Sequence, residues 1–346
     1  MNSRWTDFLL SQGASIRDGA VSGFGDSARE LAAAQSGSIV APLSHIGLIE
    51  ATGPDASAFL HAQLSSDVAA LQPWRAQRSS YCSPKGRVLA NFILWREPES
   101  FRLLLARDLS AAICKRLGMF VLRSRVKLED ASERCVVLGI SGSNAHAALE
   151  RSFGTVHSDE LEVSNTAAGT IIGLGNARFV ALLTADSAES TWKALSQSLT
   201  AAGDAAWRWQ DIRAGTPLLS AATQDQFVPQ MANLELVGAV NFRKGCYPGQ
   251  EIVARTQYLG KLKRRLYRFH TESAAVPSAA TGLFSAETAE QACGIVVDAV
   301  PAPGGGVDLL AVVQSDVVTS PSLRLGSGSG PELRILDLPY AIPLAA

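Results

Sequence analysis

The chain has 346 residues, 47% of them hydrophobic and 18% charged, with 31 Lys and Arg against 32 Asp and Glu. A formal charge of −1 excludes a protein drawn as a whole toward nucleic acid or an anionic membrane. The length exceeds one ordinary core and suits two or three domains. The five cysteines (Cys82, Cys114, Cys135, Cys246 and Cys293) are odd in number, widely spaced and free of any C-x-x-C pair. That usage argues for a reducing compartment, and against a disulfide framework or a self-contained zinc or cluster site. The opening Met-Asn-Ser-Arg-Trp-Thr-Asp shows no basic region followed by an apolar run, and no segment approaches a membrane span. A cytoplasmic location is expected.

Residues 1–37 read as a helical lead-in carrying Trp5, Phe8, Leu9 and Leu31, followed by a loose link through Gln35-Ser36-Gly37-Ser38. The first strand is expected at Ile46–Ala51. Asp55 is expected to cap a helix with Phe59, Leu60 and Leu64 on one face. Arg87–Trp95 and Phe101–Leu105 form a hairpin across Pro98, and a helix spans about Ser110 to Leu117. The order then repeats: a strand at Cys135–Ile140, a helix from Ser143 (its cap) to Phe153, a hairpin of Thr170–Leu174 with Arg178–Leu183, and a helix at Ser187–Leu199. This strand–helix–hairpin–helix series, twice over, predicts two related α+β units. After Arg265 come the short apolar strands Leu266–Phe269, Gly294–Val297, Leu309–Val313 and Leu333–Leu336, separated by Gly-, Pro- and Ser-rich connections. They predict a small β-barrel or sandwich. The expected boundaries are 1–37 for the lead-in, 38–130 and 131–260 for the two α+β units, and 261–346 for the C-terminal domain.

The stretch richest in chemistry is Lys244-Gly245-Cys246-Tyr247-Pro248-Gly249-Gln250-Glu251. Gly245 and Gly249 permit turns that place a side chain at a loop tip, and Pro248 suits the first turn of a helix running to Arg255. A thiol near a helix N-terminus and beside Arg243 and Lys244 has its thiolate favoured. The bland alternative is a small packing cysteine in a glycine turn. Glu251 and Arg255, four apart on the helix, are placed to pair.

The run from Phe242 through Arg255 resembles the signature of the YgfZ family, folate-binding proteins implicated in iron–sulfur cluster assembly or repair. Further matches are Asp211–Pro217, Phe227–Leu234, Gly53–Ala56 with Phe59-Leu60, Gln63-Leu64 and Asp67-Val68, the turn Ser83–Arg87, and the closing Leu338–Pro343. They run from about Leu43 to the C-terminus. The resemblance implies two ferredoxin-like α+β units and a small C-terminal β-barrel around a central opening, an architecture shared with the glycine-cleavage aminomethyltransferases. It also implies a tetrahydrofolate ligand, iron–sulfur client or assembly proteins as partners, and clients that thiomethylate tRNA. Cys246 would then be the reactive thiol, holding a cluster, an iron or a sulfur species, or performing a redox step. Arg243, Lys244, Gly245, Tyr247, Gly249, Gln250, Glu251 and Arg255 would shape its loop or bind a ligand. A lone thiolate cannot hold a cluster, which takes four ligands, so any cluster is shared with a partner.

Two departures bear on activity. The aminomethyltransferases carry a carboxylate near the place of Val88–Asn91, and this chain offers Ala90 and Asn91 there. Aminomethyl transfer needs that acid at the reacting amine. Where folate-binding relatives read the pterin with a glutamate, Arg213 stands in the Asp211–Gly215 segment, and a cation cannot accept a hydrogen bond. Lys85, Arg87, Asn91, Asp211, Arg213, Lys261 and Lys263 are candidate anion or folate contacts. The cation-rich run from Arg243 to Arg268 offers an anion site, against a plain solvated face, and its basic segment 261–268 an alternative reading as an RNA-binding module. A folate-dependent one-carbon transferase is the rival from another class. The five histidines show no metal-ligand spacing, and His61 reads as a packing residue on an apolar helix face.

Overall fold

The computed structural model describes residues 2–288 and 291–343; the outermost residues of the lead-in and C-terminal domain lie outside them. The chain divides into two compact units. The first comprises Met1–Ser57, Ala70–Gln77 and Ile93–Gln210, and the second Ala58–Ala69, Arg78–Phe92 and Asp211–Ala346.

In the first unit a six-stranded sheet runs in the order Val163–Thr166, Gly169–Gly173, Arg178–Thr184, Cys135–Gly142, Ser38–Pro42, Thr200–Ala201. All its pairings are antiparallel except the last, between Thr200–Ala201 and Ser38–Pro42. Helices Ala145–Phe153 and Ala185–Leu195 follow its central strand and its hairpin. The stretch taken for a loose link is therefore the end of a helix, Ser27–Ser36, followed by the wholly buried strand Ser38–Pro42. Its short apolar run, Ile39-Val40-Ala41, is covered on both faces and so does not alternate. The lead-in is a helix, Ser3–Ser11, a hairpin of Ser15–Arg17 with Ala20–Gly23, and the second helix. Trp5, Phe8, Leu9 and Val21 pack into one core with Leu138, Ile140, Phe179 and Trp192. Trp192 meets Trp5 edge-on at 6.0 Å and stacks on Phe24 at 5.1 Å. Such aromatic burial stabilises by roughly 2–3 kcal/mol per side chain.

A five-stranded sheet has the order Ala76–Cys82, Val88–Arg96, Ser100–Ala106, Ile46–Thr52, Lys127–Asp130. Its first two strands carry the chain from one unit to the other, with Arg78–Cys82 and Val88–Phe92 in the second. Asp55, expected to cap the helix Ala56–Gln63, instead accepts from the Arg125 amide at 2.8 Å and from its guanidinium. The helix expected to start at Ser143 begins at Ala145, with Asn144 at its N-cap position.

The second unit holds a six-stranded antiparallel sheet in the order Arg324–Leu325, Gly282–Phe284, Gly294–Pro301, Val307–Gln314, Arg264–Thr271, Arg334–Leu336. Phe269, Leu283, Val296, Leu309, Ala311 and Val313 are buried together in one core. The sheet is a curled half-barrel with open edges at Arg324–Leu325 and Arg334–Leu336, where a small barrel or sandwich was expected. Among the described residues no helix is long and apolar enough to cross a membrane.

Candidate functional site

All the geometry around Cys246 lies within the second unit. Cys246 is exposed, on a loop that leads into the helix Gln250–Tyr258. Gly249 is the N-cap, with φ +78°, so Pro248 precedes the cap and does not open the first turn as expected. Only glycine fits at 249. Its φ lies in the left-handed region, and an added Cβ would stand 2.4 Å from the Ser83 carbonyl oxygen and 2.6 Å from the Gly86 Cα. Gly86 has φ +69°, and its own Cβ would meet Ile252 at 2.8 Å. Two glycines thus let the turn Ser83–Arg87 lie directly on the cysteine loop. Lys85 and Arg87 are exposed there, and Arg87 donates to the Gln226 carbonyl.

Three sets of bonds hold the loop. The Asn241 amide donates to the Ser65 carbonyl at 2.9 Å, and the Ser65 hydroxyl donates to the Ala239 carbonyl at 2.7 Å. The Asn241 side chain accepts from the Arg243 amide at 2.8 Å. Gln250 Nε2 reaches back to the Lys244 carbonyl at 3.4 Å.

Lys244 differs most from its expected role. It is buried, and its Nζ donates to the Leu64 carbonyl at 2.6 Å and to the His61 carbonyl. Those are carbonyls at the end of helix Ala56–Gln63, which lack intrahelical partners, and a cation at a helix C-terminus is favoured. Nζ also lies 5.2 Å from the Tyr247 ring centroid. Burial pushes the Lys244 ammonium down to about 8, opposed by the nearby Asp67 carboxylate and the Cys246 sulfur. Burial likewise pushes the Tyr247 phenol up. Lys244 therefore anchors the loop, and Arg243 stays exposed.

Sequence reasoning did not place His61 and Asp67 beside the cysteine loop. A Cβ at Gly245 would lie 3.6 Å from His61 Nε2, so the imidazole borders the cysteine loop. Its Nδ1 is 3.1 Å from Asp67 Oδ1. The packing role expected for His61 is thus incomplete. Sequence distance from Cys246 hides the neighbourhood, although Phe59-Leu60-His61-Ala62-Gln63-Leu64-Ser65-Ser66-Asp67 carries all its parts.

The Phe227–Leu234 segment is a brace. Gln230 Nε2 donates to the Val253 carbonyl at 2.8 Å, and Asn233 Nδ2 to the Leu266 carbonyl at 2.9 Å. Arg265 Nη1 donates to the Gln230 carbonyl at 2.9 Å and pairs with Glu235. Tyr340 of the closing segment donates to the Gly215 carbonyl at 2.6 Å. Arg268 lies 3.9 Å from Asp308, and burial lowers its titration with the charge of Arg213 as a further cause. Arg265 and Arg268 are thus turned into the fold, and Arg243, Arg255, Lys261 and Lys263 are the exposed cations of that run. Glu251 and Arg255 are both exposed, with no ion pair between them among the described residues, since solvent offers each an equal partner. Asn91 is a bracket: its amide donates to the Pro217 carbonyl at 2.8 Å and accepts from the Leu219 amide at 3.0 Å. Asp211 is half-buried and Arg213 exposed at a helix end. No group of three His, Cys, Asp or Glu side chains placed to hold a metal ion occurs among the described residues.

The fold is of the aminomethyltransferase type. The crystal structure of glycine cleavage system aminomethyltransferase T from Bartonella henselae superposes with a TM-score of 0.82 at 19% identity, covering 97% of this chain and 96% of that one. A model of the GCVT N-terminal domain matches residues 21–180. The tRNA-modifying protein YgfZ of Photorhabdus laumondii is 31% identical over 300 residues, 86% of this chain and 90% of that protein. Its namesake in Pectobacterium carotovorum is 28% identical over 316 residues, 90% and 94% of the respective chains. The chain belongs to the YgfZ family.

Proposed function

We propose that this protein supports iron–sulfur cluster assembly or repair in client enzymes, including enzymes that thiomethylate tRNA, with Cys246 as its working thiol. The observation that carries this is an exposed cysteine on a loop fixed from several sides. Gly249 seats it on the Ser83–Arg87 turn, Lys244 ties it to a helix end, and Ser65 and Asn241 hold its approach. A packing cysteine would be buried, as Cys82 and Cys293 are. The thiolate is a soft ligand for iron or for a sulfur species, and a cluster in transit takes its remaining ligands from the client or a small molecule. The relatives carry the name tRNA-modifying protein, which supports clients that modify tRNA. A cytoplasmic setting goes with this reading.

Tetrahydrofolate or a derivative belongs to the same proposal. The residues fit its anionic end: Arg268 Nε is buried with no hydrogen-bond partner among the described residues, and the Arg213 charge acts on it. Arg268 and Arg213 would hold a carboxylate there. The bound folate would supply one-carbon or redox chemistry. One-carbon transfer is disfavoured as this chain's activity because the stretch Val88–Asn91, near which the transferases carry an acid, offers none, and its Asn91 is occupied with two backbone groups. We also take each strand–helix–hairpin–helix series as a ferredoxin-like unit.

Complementation tests the reading in cells lacking their own family member. Wild type restores an iron–sulfur enzyme that thiomethylates tRNA, and Cys246→Ser, accumulating equally, does not. Full restoration by the serine variant would refute the role of the thiol.

A further inference from the structure

Arg4, Arg107, Arg125 and Arg134 each sit against a carboxylate at the protein surface. Beside the cysteine loop the cations have no such partner. Lys85, Arg243, Arg255, Lys261 and Lys263 are exposed and make no ion pair among the described residues. The same surface exposes apolar side chains. Successive residues of a helix advance by about 100°, so Glu251, Ile252, Arg255, Tyr258 and the C-cap Leu259 share one stripe of helix Gln250–Tyr258. All five are exposed, and Val253 on the opposite side is buried. Leu259 keeps 83% of its exposure and Tyr258 68%. Phe242 meets the Tyr258 ring edge-on at 6.0 Å, and Gly86 seats the turn bearing Lys85 against Ile252. Residues 242–249 therefore return along the helix, from Phe242 at its end to Gly249 at its start, with the exposed Cys246 between them. The exposed carboxylates here are Glu251 in the stripe, Asp225, which accepts from the Ser83 hydroxyl at 2.9 Å, and Asp316, next to Ser315, whose amide donates to the Lys263 carbonyl at 2.9 Å.

We propose that this face docks a client protein through an apolar patch rimmed by Asp and Glu on the client. Ile252, Tyr258 and Leu259 are covered at the centre of the contact, and the cations around them meet the acidic rim. The charge pattern rejects a second copy of this chain, which would set the same cations against each other. RNA would use the cations and stack on Tyr258, yet it leaves the aliphatic Ile252 and Leu259 without an apolar partner. An anionic bilayer would have to take in Glu251 along with the stripe. An acidic-rimmed protein patch uses all of these side chains. Docking here also brings the client's own ligands beside Cys246, as a shared cluster requires.

This inference rests on the proposed reading of the protein as one that serves iron–sulfur clients, and its test reads binding alone. The probe is the purified, cluster-free form of an enzyme that thiomethylates tRNA, from the same organism. Its affinity is measured by biolayer interferometry, at low and high salt, for wild type, Leu259→Ser, the double variant Arg255→Glu with Lys261→Glu, and Cys246→Ser. Both altered side chains of the double variant and Leu259 are exposed, and an unchanged urea midpoint verifies that each variant folds. Leu259→Ser should weaken binding about tenfold at either salt concentration, the loss of one covered leucine. The double variant should weaken it by at least about tenfold at low salt and by less at high salt. Cys246→Ser should bind as wild type does. No binding by wild type, or equal binding by Leu259→Ser and the double variant, overturns the proposal. So does a Leu259→Ser protein that binds normally while the double variant loses affinity for tRNA or for phosphatidylglycerol vesicles, since the occupant is then a polyanion. Docking as expected, with full complementation by Cys246→Ser, upholds the face and removes the thiol role. Failed docking with failed complementation by Cys246→Ser removes the face and leaves the thiol role standing.

Discussion

Lys244 stands beside the exposed thiol in sequence, yet its charge serves the end of a neighbouring helix. Lys244→Met should therefore loosen the loop and cost about 2 kcal/mol, the range for hydrogen bonds to a charged group, read as a lower urea midpoint. The pH dependence has a definite sign. Burial lowers the Lys244 titration from 10.5 to about 8 in the folded protein. Below pH 8 both states hold the proton and the linked stabilisation is absent. Between pH 8 and 10.5 the unfolded chain binds more protons, so this contribution grows with pH and is complete above 10.5. The stability difference between wild type and Lys244→Met should widen over that window. A constant difference would mean that Lys244 titrates as an exposed lysine.

Between elements, the Phe227–Leu234 brace and the C-terminal sheet are joined through Glu235, just after the brace, and Arg265 on strand Arg264–Thr271, their side chains buried. Burial pushes the Glu235 carboxyl up, opposed by Arg265, the behaviour of a desolvated carboxylate that depends on one partner. Arg265→Met should cost roughly 3–5 kcal/mol by leaving that carboxylate alone, and Arg265→Met with Glu235→Leu should recover most of it. Urea denaturation of the single and double variants measures this; a double variant as unstable as the single would remove the pair from the account. Elements with a strong pattern were legible in the sequence. Val88–Arg96 and Ser100–Ala106 are apolar strands around a turn, and Cys135–Gly142 and Val307–Gln314 are near-continuous apolar runs. The polar strand Ala76–Cys82 and the hairpin of Ser15–Arg17 with Ala20–Gly23 have no such pattern and are set by tertiary pairing. At the site, the loop and its glycines were legible because only a few backbone geometries suit Gly-Cys-x-Pro-Gly. The anchoring role of Lys244 was hidden, since the carbonyls of His61 and Leu64 reach it only through the fold.

For the whole molecule, the likeness to an aminomethyltransferase extends over 97% of the chain and fixes the architecture, while the chemistry rests on particular side chains. The bracket made by Asn91 and the exposed Cys246 are the two features on which we propose thiol chemistry rather than amine chemistry for this chain. Direct reconstitution gives the most immediate test of that claim. An inactive iron–sulfur client, prepared without its cluster, is incubated with iron, a sulfide source and either wild type or Cys246→Ser. Client activity should recover several-fold faster with wild type than with the serine variant or with no added protein. Equal recovery with both proteins would contradict the account, and the thiol would lose its place at the centre of the function.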